Sequence, residues 1–268
     1  MSDAADAAVR VSTIDGVLEI VLDRPDAKNS LNPDAVRTMI EALESAAVDD
    51  DVRAVRIASS GPDFCAGADV VTLNRKGAPK PAVGNMQRRV AVQAHRLIEI
   101  ITTIQRPVVC VVRGWAAGLG FQLALAADFT IAAADARFWE PFCARGFTPD
   151  SGATWLLPRL VGVARAKDLL MLGREVAGTE AAAWGLIHRA VPDAALDAEA
   201  DRFVADVAAR ATVALGLTKH CINESLDTSL TDAMAREAFA LELSSRTTDF
   251  REGFASFTER RAPRFEGR

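Results

Sequence analysis

The sequence predicts an α/β fold with a parallel-strand core, followed by a region that is helical only. Short β-branched or apolar runs alternate with helically periodic stretches through the first part of the chain, the pattern of strands joined by crossover helices. From about Asp197 onward only helical spacing persists, through Phe203, Val207, Leu215, Met234, Phe239 and Leu243. Half of the 268 residues are hydrophobic and a quarter are charged, enough apolar material for a sizeable core.

Taken in order, Val17–Leu22 (VLEIVL) alternates apolar and polar residues before Asp23-Arg24-Pro25, a strand ending at a turn. Asn32-Pro33 opens a helix: Asn32 suits the N-cap, Pro33 the first helical position, and Val36, Met39, Ile40, Leu43 and Ala47 share a face. Residues 52–58 form a β-branched strand, followed by a polar patch at 59–63 and then FCAGADV. Residues 72–85 carry two Pro, two Gly and three Lys or Arg, which predicts a mobile loop. Helical periodicity resumes from Gln87 to Gln105 and stops at Pro107. A fully apolar strand (Val108–Val112), a small-residue helix (118–126) and another strand (Phe129–Ala133) complete the alternation.

The composition excludes several classes of function. A net charge of -5 leaves no global basic field for nucleic acid or anionic lipid. The first ten residues are small and acidic, with neither the basic nor the apolar segment of a signal peptide. The most apolar stretch, 108–127, is interrupted by Arg113 and Gln122 and falls short of the ~18 apolar residues a membrane span needs. Cys65, Cys110, Cys143 and Cys221 lie far apart without a CxxC pair, so neither a disulfide framework nor a metal site is expected. A soluble, cytoplasmic protein is the expectation.

Two segments have the makings of a site. In Asp63-Phe64-Cys65-Ala66-Gly67-Ala68-Asp69 three small residues after a buried strand let the backbone approach a ligand, and Asp69 can cap the turn that follows. Residues 113–122 (RGWAAGLGFQ) form a glycine-rich turn between a strand and a helix, where free N–H groups make a ready anion site. Taken singly, each is equally well a tight turn with close helix–strand packing. A dinucleotide site is poorly supported, because the glycines run GxxxGxG rather than GxGxxG, and no P-loop GK[ST] follows.

The chain resembles the crotonase (enoyl-CoA hydratase/isomerase) superfamily. Six blocks carry the likeness, in the family's order: DRPDAKNSLN (23–32), DFCAGADV (63–70), RGWAAGLGFQLALAADF (113–129), PDSGATWLLPRLVG (149–162), AAAWGLIHRAV (181–191) and DFREGFASFTERRAPRF (249–265). The resemblance implies a spiral of repeated ββα units with an acyl-CoA site over 1–196 and a C-terminal helical oligomerisation region over 197–268. The N–H groups of Ala68 and Leu119 would form an oxyanion hole for a thioester enolate. Lys28, Ala66, Asp69 and Val70 would line the CoA channel, with Phe257 and Arg260 near the nucleotide end, from a neighbouring subunit in an assembled trimer or dimer of trimers. No separate cofactor is implied, since coenzyme A arrives with the substrate.

Hydratases of this family carry two glutamates beside the hole. Here they align with Gln122 and Phe142, neither of which transfers a proton, and this argues against efficient hydration. The remaining carboxylate is Asp150. Ahead of a helix it reads equally as an N-cap. Within the family, an aspartate in the PDSGATWLLPRLVG block resembles the base of dienoyl-CoA and ring-1,2-epoxyphenylacetyl-CoA isomerases, which shuttle a proton between carbons. Glu140, two residues before Phe142, reads as a surface acid or as a supporting acid on the same strand face. The sequence thus favours an enoyl-CoA isomerase using Asp150, over an enoyl-CoA hydratase or a non-catalytic acyl-CoA-binding protein. His95 and His188 read as surface residues, and Trp139, Phe142, Phe147 and Trp155 as core or pocket wall.

Overall fold

A computed structural model describes residues 8–69 and 82–268; Val70 and most of the expected 72–85 loop lie outside the described residues. The described residues open with a hairpin, β1 (Val9–Ile14) and β2 (Val17–Leu22), in which Ile14 pairs with Val17. Its two-residue turn, Asp15-Gly16, holds both residues at positive φ (50° and 76°), as a primed hairpin turn requires. Only Val9 of β1 is buried, so this edge strand leaves little apolar signature in the sequence.

Helix α1 (Pro33–Val48) begins as expected, with the Asn32 side chain accepting from the Ala35 N–H at 2.7 Å. Its buried stripe is Val36, Met39, Leu43 and Ala46; Ala47 lies one position off it and is exposed. Strand β3 (Ala54–Ser59) pairs in parallel with β2. The periodic stretch from Gln87 is three segments: α2 (Asn85–Val90), a π-helical turn (Ala91–His95) and α3 (Arg96–Thr103). Strand β4 (Val108–Val112) is buried along its whole length, as befits a parallel strand covered on both faces.

Beyond β4 come β5 (Trp115–Ala117), α4 (Leu119–Ala126), β6 (Phe129–Ala133), β7 (Arg137–Trp139), α5 (Ala153–Leu172, broken at Gly162), β8 (Val176–Ala177), α6 (Gly178–Ala183) and β9 (Arg189–Val191). The larger sheet runs β1-β2-β3-β4-β6-β9, parallel from β2 onward; the smaller runs β5-β7-β8. Because β3 and β4 are parallel neighbours, the segments that follow them leave the same edge of the sheet, where ligands of α/β proteins bind.

From Leu196 the chain is helical only. Helix α7 (Leu196–Ala208) covers the sheet, its Val204, Val207 and Ala208 meeting Val17, Ala54 and Val109. Helix α8 (Thr212–Ser225) is pinned by a buried lysine: Lys219 Nζ lies 2.7 Å from Asp128 Oδ2 and donates to the carbonyl of Ile101 at 2.8 Å. In contrast, α9 (Leu230–Ser244) buries none of its residues, and Leu230, Met234, Phe239 and Leu241 all stand exposed. Helix α10 (Thr248–Glu259) flanks an open apolar groove of about 510 Å³ lined by Phe250, Phe254, Phe257 and Phe265. None of the described helices is long and apolar enough to cross a membrane.

Candidate active site

The segment 63–69 is threaded between two others by main-chain hydrogen bonds. On one side, Leu31 N–H donates to the Gly67 carbonyl at 2.8 Å and Asp69 N–H to the Leu31 carbonyl at 2.9 Å. On the other, Cys65 N–H donates to Trp115 and Ala117 N–H to Cys65, at 2.8 and 2.9 Å. Since Gly67 and Asp69 turn their polar groups towards Leu31, the intervening Ala68 turns its N–H the opposite way, as successive residues of an extended chain must. Gly118 N–H donates to the Trp139 carbonyl at 2.9 Å and serves as N-cap of α4, so Leu119 opens that helix and its N–H has no acceptor within it.

Glycine is needed twice for this convergence. A Cβ built on Gly67, whose φ is +92°, would stand 2.7 Å from the Ala117 carbonyl oxygen and 3.4 Å from Leu119 N. One on Gly120 would stand 2.4 Å from the Cys65 carbonyl oxygen. The chain therefore brings the two expected donor loops into backbone contact, and a helix N-terminus faces the same place. Cys65 beneath them is structural: burial pushes its thiol up to about 12, and Gly67 N–H donates to its sulfur at 3.3 Å.

Around this convergence the expected residues sort differently. Lys28 is exposed, its ammonium 3.8 Å from Asp63, and its carbonyl accepts from the N–H of the exposed Ala66 at 2.9 Å. Asp69 is nearly buried and pairs with Arg24 at 3.3 Å. Phe257 and Arg260 stand exposed at the end of α10. One organising residue escaped the sequence reading. Asn29, buried and left-handed at φ 52°, accepts from Arg24 N–H at 2.7 Å and donates to the carbonyls of Ser60 and Asp63, both at 2.8 Å. An asparagine after a Pro-Asp turn is the signal that could have found it, since its side chain satisfies loop backbone and it tolerates this conformation.

The wall opposite is built by α4, β7 and the start of α5. All of α4 is buried, including Gln122, whose Nε2 donates to the Asp150 carbonyl at 3.1 Å. Phe142 is buried edge-on against Phe147, with ring centroids 5.2 Å apart, and reaches within 3.8 Å of where a Gly118 Cβ would lie. Phe147 and Trp155 are themselves exposed rather than core. Asp150 is exposed, and the N-cap of α5 is Gly152, without a side-chain cap bond; the capping role open to Asp150 in the sequence is not taken.

Glu140 corrects the surface reading. It is wholly buried, and neither carboxylate oxygen has a hydrogen-bond partner. Burial alternates from Arg137 through Glu140, so Glu140 shares the face of Phe138, which is core; the burial of Phe138 was the missed signal. Burial drives the Glu140 carboxyl well above the ordinary carboxylate range, and the negative charge of Asp150 pushes the same way. The neighbouring Gln122 amide offsets part of this. Among the described residues no group of three or more His, Cys, Asp or Glu is placed to hold a metal ion.

Residues 12–268 match the model of one family, enoyl-CoA hydratase/isomerase. The chain is 35% identical to 1,2-epoxyphenylacetyl-CoA isomerase of Escherichia coli over 254 residues, 94% of this chain and 96% of that protein. It is 32% identical to crotonyl-CoA hydratase of Syntrophomonas wolfei, over 92% of this chain and 93% of that one. The fold is similar to the crystal structure of enoyl-CoA hydratase from Bacillus anthracis, with a TM-score of 0.90, 30% identity and coverage of 98% and 100% of the two chains.

Proposed function

Because the chain belongs to the enoyl-CoA hydratase/isomerase family, we propose that it binds an acyl-CoA thioester and moves a double bond within the acyl chain, with Asp150 as the proton carrier. In this reading Asp150 removes an α-proton from a 3-enoyl-CoA. The electron pair flows into the thioester carbonyl, and the resulting dienolate oxygen accepts hydrogen bonds from the N–H groups of Ala68 and Leu119. Asp150 then returns the proton at Cγ, giving the conjugated 2-enoyl-CoA. One such preorganised donor contributes about 100- to 1,000-fold in rate, or roughly 2.7–4 kcal/mol.

The observation that carries this reading is the state of the carboxyls at the wall. The two aligned glutamate positions hold an amide and a phenyl ring, Glu140 is sealed inside, and Asp150 alone of these groups is exposed. One exposed base suits transfer of a proton between two carbons of one substrate. Hydration also needs a positioned water with acid–base groups in reach of it. Hydration remains the second reading, supported by the name of the Syntrophomonas wolfei relative.

The test is isomerisation of a 3-enoyl-CoA beside hydration of a 2-enoyl-CoA, on the wild type and on Asp150→Asn. Loss of about 10²- to 10⁴-fold in isomerisation by the variant is expected. Isomerisation that survives in Asp150→Asn, or rapid hydration by the wild type, rejects the assignment. The same reading includes self-association, which the exposed apolar residues of α9 and α10 support. Sedimentation of the wild type as a trimer or hexamer, and of Phe254→Asp as a smaller species, is the expected result.

A further inference from the structure

Glu140 is buried without a partner, and so is the Oε1 of Gln122 beside it. The amide nitrogen of Gln122 is already committed to the Asp150 carbonyl, which fixes the end of the amide that faces Asp150. The hydrogen bond that Gln122 offers an ionised Glu140 must come from that same nitrogen, and burial and the charge of Asp150 oppose it. A protonated Glu140 instead has an O–H to give to Gln122 Oε1, which would satisfy both orphaned groups at once. Burial of the carboxyl favours the same form.

The other end of this chain of contacts is an unusual turn. Ser151 and Gly152 are both left-handed, at φ 47° and 84°, and the serine is a side-chain-bearing residue in a conformation it seldom adopts. Such a turn persists where its surroundings hold it. Two bonds reach the Asp150 carbonyl at its start, from Ala153 N–H within the turn and from Gln122 Nε2 outside it.

We propose that Glu140 is a positioning residue, which orients the Gln122 amide and through it holds the Asp150-Ser151-Gly152 turn that presents the Asp150 carboxylate. This rests on Asp150 as the proton carrier. In its acid form Glu140 also adds no second negative charge beside Asp150.

Three variants test it. Glu140→Gln retains an N–H donor for Gln122 Oε1, whereas Glu140→Leu fills the space without one. Glu140→Gln is expected to keep kcat within about threefold of wild type, and Glu140→Leu to lose at least about tenfold in kcat with KM little changed, as for a base displaced by a fraction of an ångström. In a Gln122→Met background Glu140→Leu should cost nothing further. Equal losses in Glu140→Gln and Glu140→Leu, an unaltered kcat in Glu140→Leu, or full additivity with Gln122→Met overturns the proposal. If Glu140→Leu does not fold, the Glu140→Gln result alone decides, its loss of kcat counting against us. Crystal structures of the two variants separate this inference from the functional reading. Displacement of residues 150–152 in Glu140→Leu and not in Glu140→Gln supports positioning even if no enoyl-CoA is turned over; an unmoved turn in both rejects it.

Discussion

Gly67→Ala perturbs the two donors and leaves every titratable side chain in place. The added methyl would sit 2.7 Å from the Ala117 carbonyl oxygen, a separation that Cβ atoms do not tolerate, and 3.4 Å from the nitrogen of Leu119. Ordinary contact requires the Gly67 segment and the Ala117 carbonyl at the end of β5 to part by roughly 0.8 Å, given optimal non-bonded separations near 3.5 Å. The residue must also hold φ +92°, which for alanine costs on the order of 1–3 kcal/mol. A misplacement of 1 Å costs up to about 100-fold in rate, so the parting of the two donors should lower kcat by roughly 10- to 100-fold, or 1.4–2.7 kcal/mol. The assay is steady-state turnover of a 3-enoyl-CoA at 25 °C, with circular dichroism melting alongside. A folded Gly67→Ala that turns over at the wild-type rate would refute the claim that these two N–H groups are the oxyanion site.

Lys219→Met strands the Asp128 carboxylate in the interior and should cost about 3–5 kcal/mol in urea unfolding; a loss under 1 kcal/mol would show that the pair bears little weight. The raised Glu140 proton affinity makes a signed prediction, because the folded chain holds this proton more tightly than the unfolded one. Its contribution is complete below the ordinary glutamate value of 4.5 and is lost as pH rises towards the folded value, at up to about 1.4 kcal/mol per pH unit. Glu140→Gln should remove that decline, so the gap between variant and wild type in chemical denaturation widens with pH; parallel curves would contradict it. Iodoacetamide at pH 8 should label the exposed Cys143 and spare Cys65 and Cys110 until the protein unfolds, as mass spectrometry of labelled peptides would report.

Elements whose residues carry their own signal were legible in the sequence. Strands β2, β4 and β6 fall where uninterrupted or alternating apolar runs placed them, and α1 starts at its Asn-Pro cap. Strands β5, β7, β8 and β9 span two or three residues each, too few for any periodicity to register, and exist because neighbouring segments pair with them. Local spacing also cannot show what covers a helix. The apolar residues of α9 lie at helical intervals, yet none is buried in the single chain. At the site, the meeting of the 63–69 and 113–119 segments was visible as two small-residue turns in the order of a known family. The sealing of Glu140 was not, because a glutamate reads as surface until Phe138 two residues earlier is known to be core.

The ladder of short main-chain bonds from Leu31 through Cys65 to Trp115 and on to Trp139 has an evolutionary consequence. Because backbone, and no reactive side chain, holds the two proposed donors, the residues at 122, 140, 142 and 150 can be exchanged without dismantling that main-chain arrangement. On the proposed reading, an isomerase and a hydratase can then differ by retooling one wall against a common anvil.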